Sequence, residues 1–431
     1  MKTFIFNARL IDENTDTRGS VILNNGKIEK IFFCDGKNSE LIKAVNSDVS
    51  SCDIQINAEG KALLPSFIDM HAHFRYPGQS EKEDLETGLR AAAAGGYTAV
   101  VLMPNTNPVV STLEEAVSIV NTAESYGTAK VYQTVSITSR FDGRTIEHLQ
   151  YLTGDLVPVI TEDGKDVESD EIMEEAMKIC SSKGIIVSCH CEKNEYVPFA
   201  KKKRDEGNFI EAEKILGAAE DESTKRNLEK ALKSNCDIHI AHCSTKKSLR
   251  YIRRAQKKEG REGQVSYEIT PHHACLSYEM PGLGSELVNP PLRSNKDRKA
   301  LIKSLARGKH VMIGTDHAPH TLDDKKNGAC GFSGIETAFS LCYTSLVLEK
   351  YIDLKRLSSL MSAEPARRLR LNKGLIRTGM DADLVLIDLD DSFEVNPESF
   401  LSKGKYTPVA GKMLSGRICK TFYRGQVVYN L

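Results

Sequence analysis

Residues 68–75 read Ile-Asp-Met-His-Ala-His-Phe-Arg (IDMHAHFR), and this stretch decides how the rest of the chain is read. Its polar members, Asp69, His71, His73 and Arg75, fall at every second position, so in an extended strand all four share one face. A lone His-x-His pair in a strand is ordinarily a hydrogen-bonded core pair. Its company along the chain changes that reading.

Strand-like runs at 68–74, 98–103, 130–137, 157–162, 185–190, 237–242, 264–270 and 310–316 alternate with amphipathic stretches such as TLEEAVSIVNTAE (112–124) and SDEIMEEAMKICSSKG (169–184). That βα rhythm implies a parallel sheet, and eight units imply an α/β fold of the (β/α)8 TIM-barrel type over residues 66–371. Shorter strands and hairpins are predicted at 3–10, 19–33 (turning at Asn25-Gly26) and 53–64, and again at 382–389 and 419–430. Residues 1–65 and 372–431 are therefore expected to form one composite β domain.

The fifth run ends at His190, the sixth at His242 and the eighth at Asp316, and barrel active sites are built at the C-terminal ends of strands. The fourth run supplies VITEDGK, where Glu162, Asp163 or a carbamate on Lys165 would stand between two metal ions. Imidazole and carboxylate ligands with room for water suit zinc better than the oxygen-only cages of calcium or magnesium. Cys189, Cys191 and Cys243 sit one position from the histidines and are read as core. His272 and His273 cannot both face inward from an extended chain and are read as structural. His317 is read as a supporting residue, His320 as able to reach a ligand, and His148, His239 and His310 as ordinary.

A formal net charge of -1, the absence of tryptophan and the lack of a basic stripe argue against nucleic-acid or anionic-membrane binding. The lysine run Lys201 to Arg204 reads as a solvated helix face. Eleven scattered cysteines without a CxxC pair, and an N-terminus without a signal-peptide core, point to a reducing cytoplasm.

The blocks PSFIDMHAHFRYPG, LETGLRAAAAGGYTAVVLMPNTNP, HCEK, HCSTK, ITPHH, VNPPLR, GTDHAPH and SGIETAF run in order from residue 65 to 339, and together they resemble the bacterial class I dihydroorotases. MPNTNP (103–108) is the block that separates this group from hydantoinases, dihydropyrimidinases and allantoinases. The resemblance implies two zinc ions, one held by His71, His73 and Asp316, the other by His190 and His242, with Asp163 bridging. It implies that Arg75, Asn105 and His320 grip a substrate carboxylate, that Asn289 contacts the ring, and that Asp316 is the catalytic base. It further implies reversible cyclisation of N-carbamoyl-L-aspartate to L-dihydroorotate in pyrimidine biosynthesis, a homodimer, and association with aspartate transcarbamoylase in some family members. The chain departs from the family pattern at Ser66, at Tyr76 and at Ala329-Cys330-Gly331, within a loop (319–334) expected to act as a lid. Two other readings are a hydrolase of neutral cyclic amides and a catalytically silent homologue.

Overall fold

The structure, a computed structural model, describes residues 2–33 and 52–431. The alternation becomes a ring of parallel strands: Phe67–Ala72, Tyr97–Leu102, Lys130–Gln133 continued by Val135–Ser136, Val159–Thr161, Ile186–Cys189, Ile238–Ile240, Val265–Ile269 and Val311–Ile313. The ring closes where the first strand meets the segment after the eighth. There Ala72 bridges His317, the Asp316 amide donates to the His71 carbonyl at 2.9 Å, and the His73 amide donates to the His317 carbonyl at 2.8 Å. Residues named for chemistry thus also close the barrel.

Helices Leu85–Ala94, Leu113–Glu124, Asp170–Lys183, Phe209–Lys233, Lys246–Gln256 and Asn295–Arg307 make crossovers between strands. Each starts where the sequence supplies a cap: the side chains of Asp84, Thr112, Ser169, Asn208, Thr245 and Ser294 accept a backbone N–H of the first turn. Between the third and fourth strands the rhythm lapses into two 3₁₀ turns, Ser139–Phe141 and Glu147–Tyr151. Arg140 and Phe141 lie at φ 53° and 61°, in the left-handed region, and no α-helix propagates through such residues. Among the described residues, no helix is long and apolar enough to cross a membrane.

The flanking segments share one further sheet, in the order Gln426–Asn430, Met413–Tyr423, Leu384–Glu394, Ala62–Pro65, Lys2–Ile11, Asp16–Asn24 and Lys27–Phe33, with Ile54–Asn57 also paired to Lys2–Ile11. Ile5, Leu10, Val21, Leu23, Leu63, Leu384, Leu386 and Phe422 make its apolar core. The sheet is pinned to the barrel by a buried polar knot. Lys373 pairs with Asp383 and donates to Thr98 Oγ1 at 2.8 Å on the second barrel strand, while Asp383 also accepts the Arg424 amide at 2.7 Å. Removing one member strands a buried charge, so Lys373→Met is expected to lower unfolding stability by about 3–5 kcal/mol. Denaturant unfolding would read this directly, and a loss under 1 kcal/mol would contradict the account.

Candidate metal centre

The site stands at the C-terminal mouth of the barrel, where the strands stop and the chain turns outward. His71 lies within the first strand, His190 just past the fifth, His242 two residues past the sixth, Asp163 two past the fourth and Asp316 three past the eighth. All five are buried. The side-chain nitrogens and oxygens converge as two groups sharing one carboxylate: His71, His73 and Asp163, and Asp163, His190 and His242.

Asp163 Oδ1 lies 3.3 Å from His71 Nε2, 3.6 Å from His190 Nδ1 and 3.8 Å from His242 Nε2, and Asp163 Oδ2 lies 3.5 Å from His73 Nε2. Asp316 Oδ1 completes the first group, 3.5 Å from His71 Nε2 and 3.3 Å from His73 Nε2. Four ligand atoms each about 2.0–2.1 Å from one tetrahedral zinc would be about 3.3 Å from one another, so the separations in the first group are of the size such a polyhedron requires. His71 Nε2 is buried without a hydrogen-bond partner, an expense that a ligand to a cation removes. The donor set of imidazoles and carboxylates, with no thiolate, therefore fits a divalent transition metal.

The electrostatics run the same way. Burial opposes charge on every member, yet Asp163 and Asp316 both have carboxyls held well below the usual range, because His71 and the neighbouring imidazoles outweigh burial. Burial likewise opposes charge on His71, but Asp163, Glu268 and Asp316 hold its pKa well above the ordinary value. The cluster is poised for a positive charge among its carboxylates.

Glu162, the neighbour that rivalled Asp163, is turned away: its carboxylate accepts the Thr138 amide at 2.9 Å and the Thr138 hydroxyl. Lys165 is exposed and lies 5.8 Å over the Phe141 ring. Cys189, Cys191 and Cys243 are buried in the apolar core.

Arg75 departs from the expected strand parity. The strand ends at Ala72, and Arg75 sits at φ 55°, swinging its guanidinium to Pro319 O at 3.2 Å and His320 Nε2 at 3.2 Å. Burial pulls its pKa down to about 10, with Asp316 and Asp163 opposing, so it stays charged. His320 also meets the Cys330 carbonyl at 2.9 Å, and burial with Arg75 beside it pushes its pKa down to about 4. Asn105 stands beside the cluster. Its Oδ1 faces His73 Nδ1 at 2.9 Å and its Nδ2 donates to Asp163 Oδ2 at 2.9 Å. Asn289 is half-buried and bonded to Glu192, whose Oε2 lies 3.8 Å from His190 Nε2.

His272 and His273 lie in a single helical turn, Pro271–Cys275, so the extended-chain premise about them fails. His273 bonds the Thr270 hydroxyl at 2.8 Å and the Pro290 carbonyl at 3.0 Å, a structural role. His272 is buried against Phe332 with its Nε2 unpartnered. His317 accepts the Gly334 amide at 3.1 Å and faces Glu83 at 3.6 Å, away from the cluster. In the loop after the eighth strand, Lys325 donates to the carbonyls of Leu287, Ala329 and Gly331 at 3.0, 3.0 and 2.8 Å.

Glu268 escaped the sequence reading, in which His239 is ordinary. His239 is bonded to Ser266 at 2.9 Å and to Glu268 at 3.1 Å, and Glu268 joins it to His71 Nδ1 at 2.8 Å. The available signal was Glu268 itself, a lone carboxylate inside the apolar run VSYEI of a buried strand, a placement that demands partners.

This fold and cluster are those of a metal-dependent hydrolase: the chain belongs to the amidohydrolase family, whose model matches residues 62–428. It is 40% identical over its whole length to a dihydroorotase of Clostridium botulinum (strain Eklund 17B / Type B), covering all of that protein. It is 38% identical to a dihydroorotase of Bacillus subtilis (strain 168), over 90% of this chain and 92% of that one. Among solved structures, an L-hydantoinase (dihydropyrimidinase) from Arthrobacter aurescens superposes with a TM-score of 0.87 over 99% of this chain and 96% of its own. At 22% identity that likeness speaks for the fold alone.

Proposed function

We propose that the chain is a dihydroorotase, interconverting L-dihydroorotate and N-carbamoyl-L-aspartate at a centre of two zinc ions. The observation that carries this reading is full-length similarity to dihydroorotases, joined to a buried, charged Arg75 beside the carboxylate–histidine cluster. His71, His73 and Asp316 would hold one ion, His190 and His242 the other, and Asp163 both. When bound, the metal supplies a water acidified to near-neutral pKa and a Lewis acid for the ring carbonyl.

The chain's own groups do the rest. Arg75 binds the substrate's carboxylate by a charge-assisted pair, a contact that neutral rings lack. His320 stands beside it with Nε2 held by Arg75 and the Cys330 carbonyl, and its unpartnered Nδ1 is the nitrogen that would add a hydrogen bond. Asp316 takes the proton released as water oxygen adds to the ring carbonyl carbon, then hands it to the ring nitrogen as the C–N bond breaks. The new carboxyl ionises and releases a proton, so alkaline pH favours ring opening and acid pH favours cyclisation. Asn105, tied to His73 and Asp163, keeps both side chains in register.

The test is ring opening by the purified, zinc-replete chain at alkaline pH, on dihydroorotate, hydantoin, dihydrouracil and allantoin. Turnover is expected on dihydroorotate, and a preference for any neutral ring would overturn the assignment. Arg75→Gln should lower kcat/KM for dihydroorotate by about 10²-fold, the worth of one buried charge-assisted contact.

A further inference from the structure

Glu268 lies at the foot of the metal cluster, fully buried on the seventh strand, and its two oxygens have three partners. Oε1 accepts from His71 Nδ1 at 2.8 Å and from the His242 backbone amide at 3.1 Å, while Oε2 faces His239 Nε2 at 3.1 Å. Those contacts reach one residue of each ligand group, since His71 belongs to the first and His242 to the second. An ionised carboxylate only accepts, so His71 keeps a proton on Nδ1, and Nε2, which faces Asp163 and Asp316, is the nitrogen left to bind a metal ion. His242 needs fixing of another kind. Its φ of 29° is a left-handed conformation that costs a non-glycine residue roughly 1–3 kcal/mol unless its surroundings impose it. The bond from its amide to Glu268 is such a restraint.

The eighth strand makes room for this carboxylate. A Cβ added at Gly314 would lie 2.4 Å from Glu268 Oε2 and 2.7 Å from its carboxyl carbon, and Gly314 has no positive φ that would itself demand glycine. Its lack of a side chain is accounted for by the space Glu268 occupies.

Resting on the two-ion reading above, we infer that Glu268 is a positioning residue that sets one ligand of each metal group at once, so that its loss loosens both ions together. Glutamine keeps the shape but only one acceptor oxygen. With its amide NH2 toward His239, which can shift its proton to Nδ1 and accept through Nε2, it keeps the contacts but lacks the negative charge that holds the Nδ1 proton of His71. The readout is the rate at which the zinc-loaded protein yields metal to a chromogenic chelator, alongside thermal unfolding of the metal-free protein. Glu268→Gln should release both equivalents about 10- to 100-fold faster than the parent chain, the usual effect of losing a carboxylate behind a metal-bound histidine. Gly314→Ala, which displaces the same carboxylate without altering it, should show the same acceleration.

Unchanged release from both variants would overturn the inference, as would acceleration of one equivalent alone. Lower thermal stability of the metal-free protein with unchanged release would assign Glu268 a purely structural role and overturn it too. If neither variant folds, the parent chain decides: in the zinc-loaded protein the His71 Nδ1 proton should give a downfield, slowly exchanging NMR resonance, and a fast-exchanging one rules the Glu268 bond out. A parent chain that binds no metal would instead sink the reading of the site on which this inference stands.

Discussion

Asp163→Ala is expected to empty the site and abolish turnover. Asp163 is the one residue common to both ligand groups, within 3.3 to 3.8 Å of four imidazoles. Without it, His190 and His242 keep no carboxylate between them and the first group, and on the proposed two-ion reading the attraction that would hold two dications side by side is lost. Metal content should fall below half of the parent's, and activity by at least about 10⁴-fold, because nucleophile supply and carbonyl polarisation disappear together. Added zinc should not restore it. The companion variant Glu162→Ala sharpens the measurement. Its carboxylate serves Thr138, so it should cost stability and little activity. Metal loss from Glu162→Ala with retention in Asp163→Ala would reverse the two assignments.

Asp316→Asn should leave a folded protein that retains part of its metal and turns over about 10³- to 10⁴-fold more slowly, the upper range for removing a general base. Asparagine suits this position sterically: Asp316 sits at φ 49°, and asparagine tolerates the left-handed region as aspartate does. Its amide oxygen can still face His71 and His73, but it cannot accept the proton. Steady-state kcat with metal analysis on the same sample checks both halves. Activity within tenfold of the parent would remove Asp316 from the proton-transfer role.

The barrel and its ligands were legible because both depend on short-range rules. The two-residue period of IDMHAH and the ends of apolar runs place His71, His73, His190, His242 and Asp316 at one mouth without any knowledge of packing. What stayed hidden depends on backbone departures and long-range partners. Arg75 and His242 lie at φ 55° and 29°, where alternation no longer tells which way a side chain faces. The turn that holds His272 and His273 begins at a proline, whose preset φ suits a helical start as well as an extended chain. Asn105 and Glu268 act on residues 32 and 197 positions away in the chain, and no local pattern announces such a pairing.

The seam between Ala62–Pro65 and Leu384–Ile387 has a consequence for how the protein is made. The first of these strands leaves the ribosome roughly 320 residues before the second. At about 5–20 residues per second, it waits some 15–65 s with an apolar edge unpaired. Throughout that wait the first barrel strand, which directly follows it, and His73 just past its end already supply both histidines of the first ligand group. The order of synthesis therefore exposes an open strand edge next to part of the candidate metal site, which makes the nascent chain, more than the finished fold, the stage at which this edge is open to mispairing.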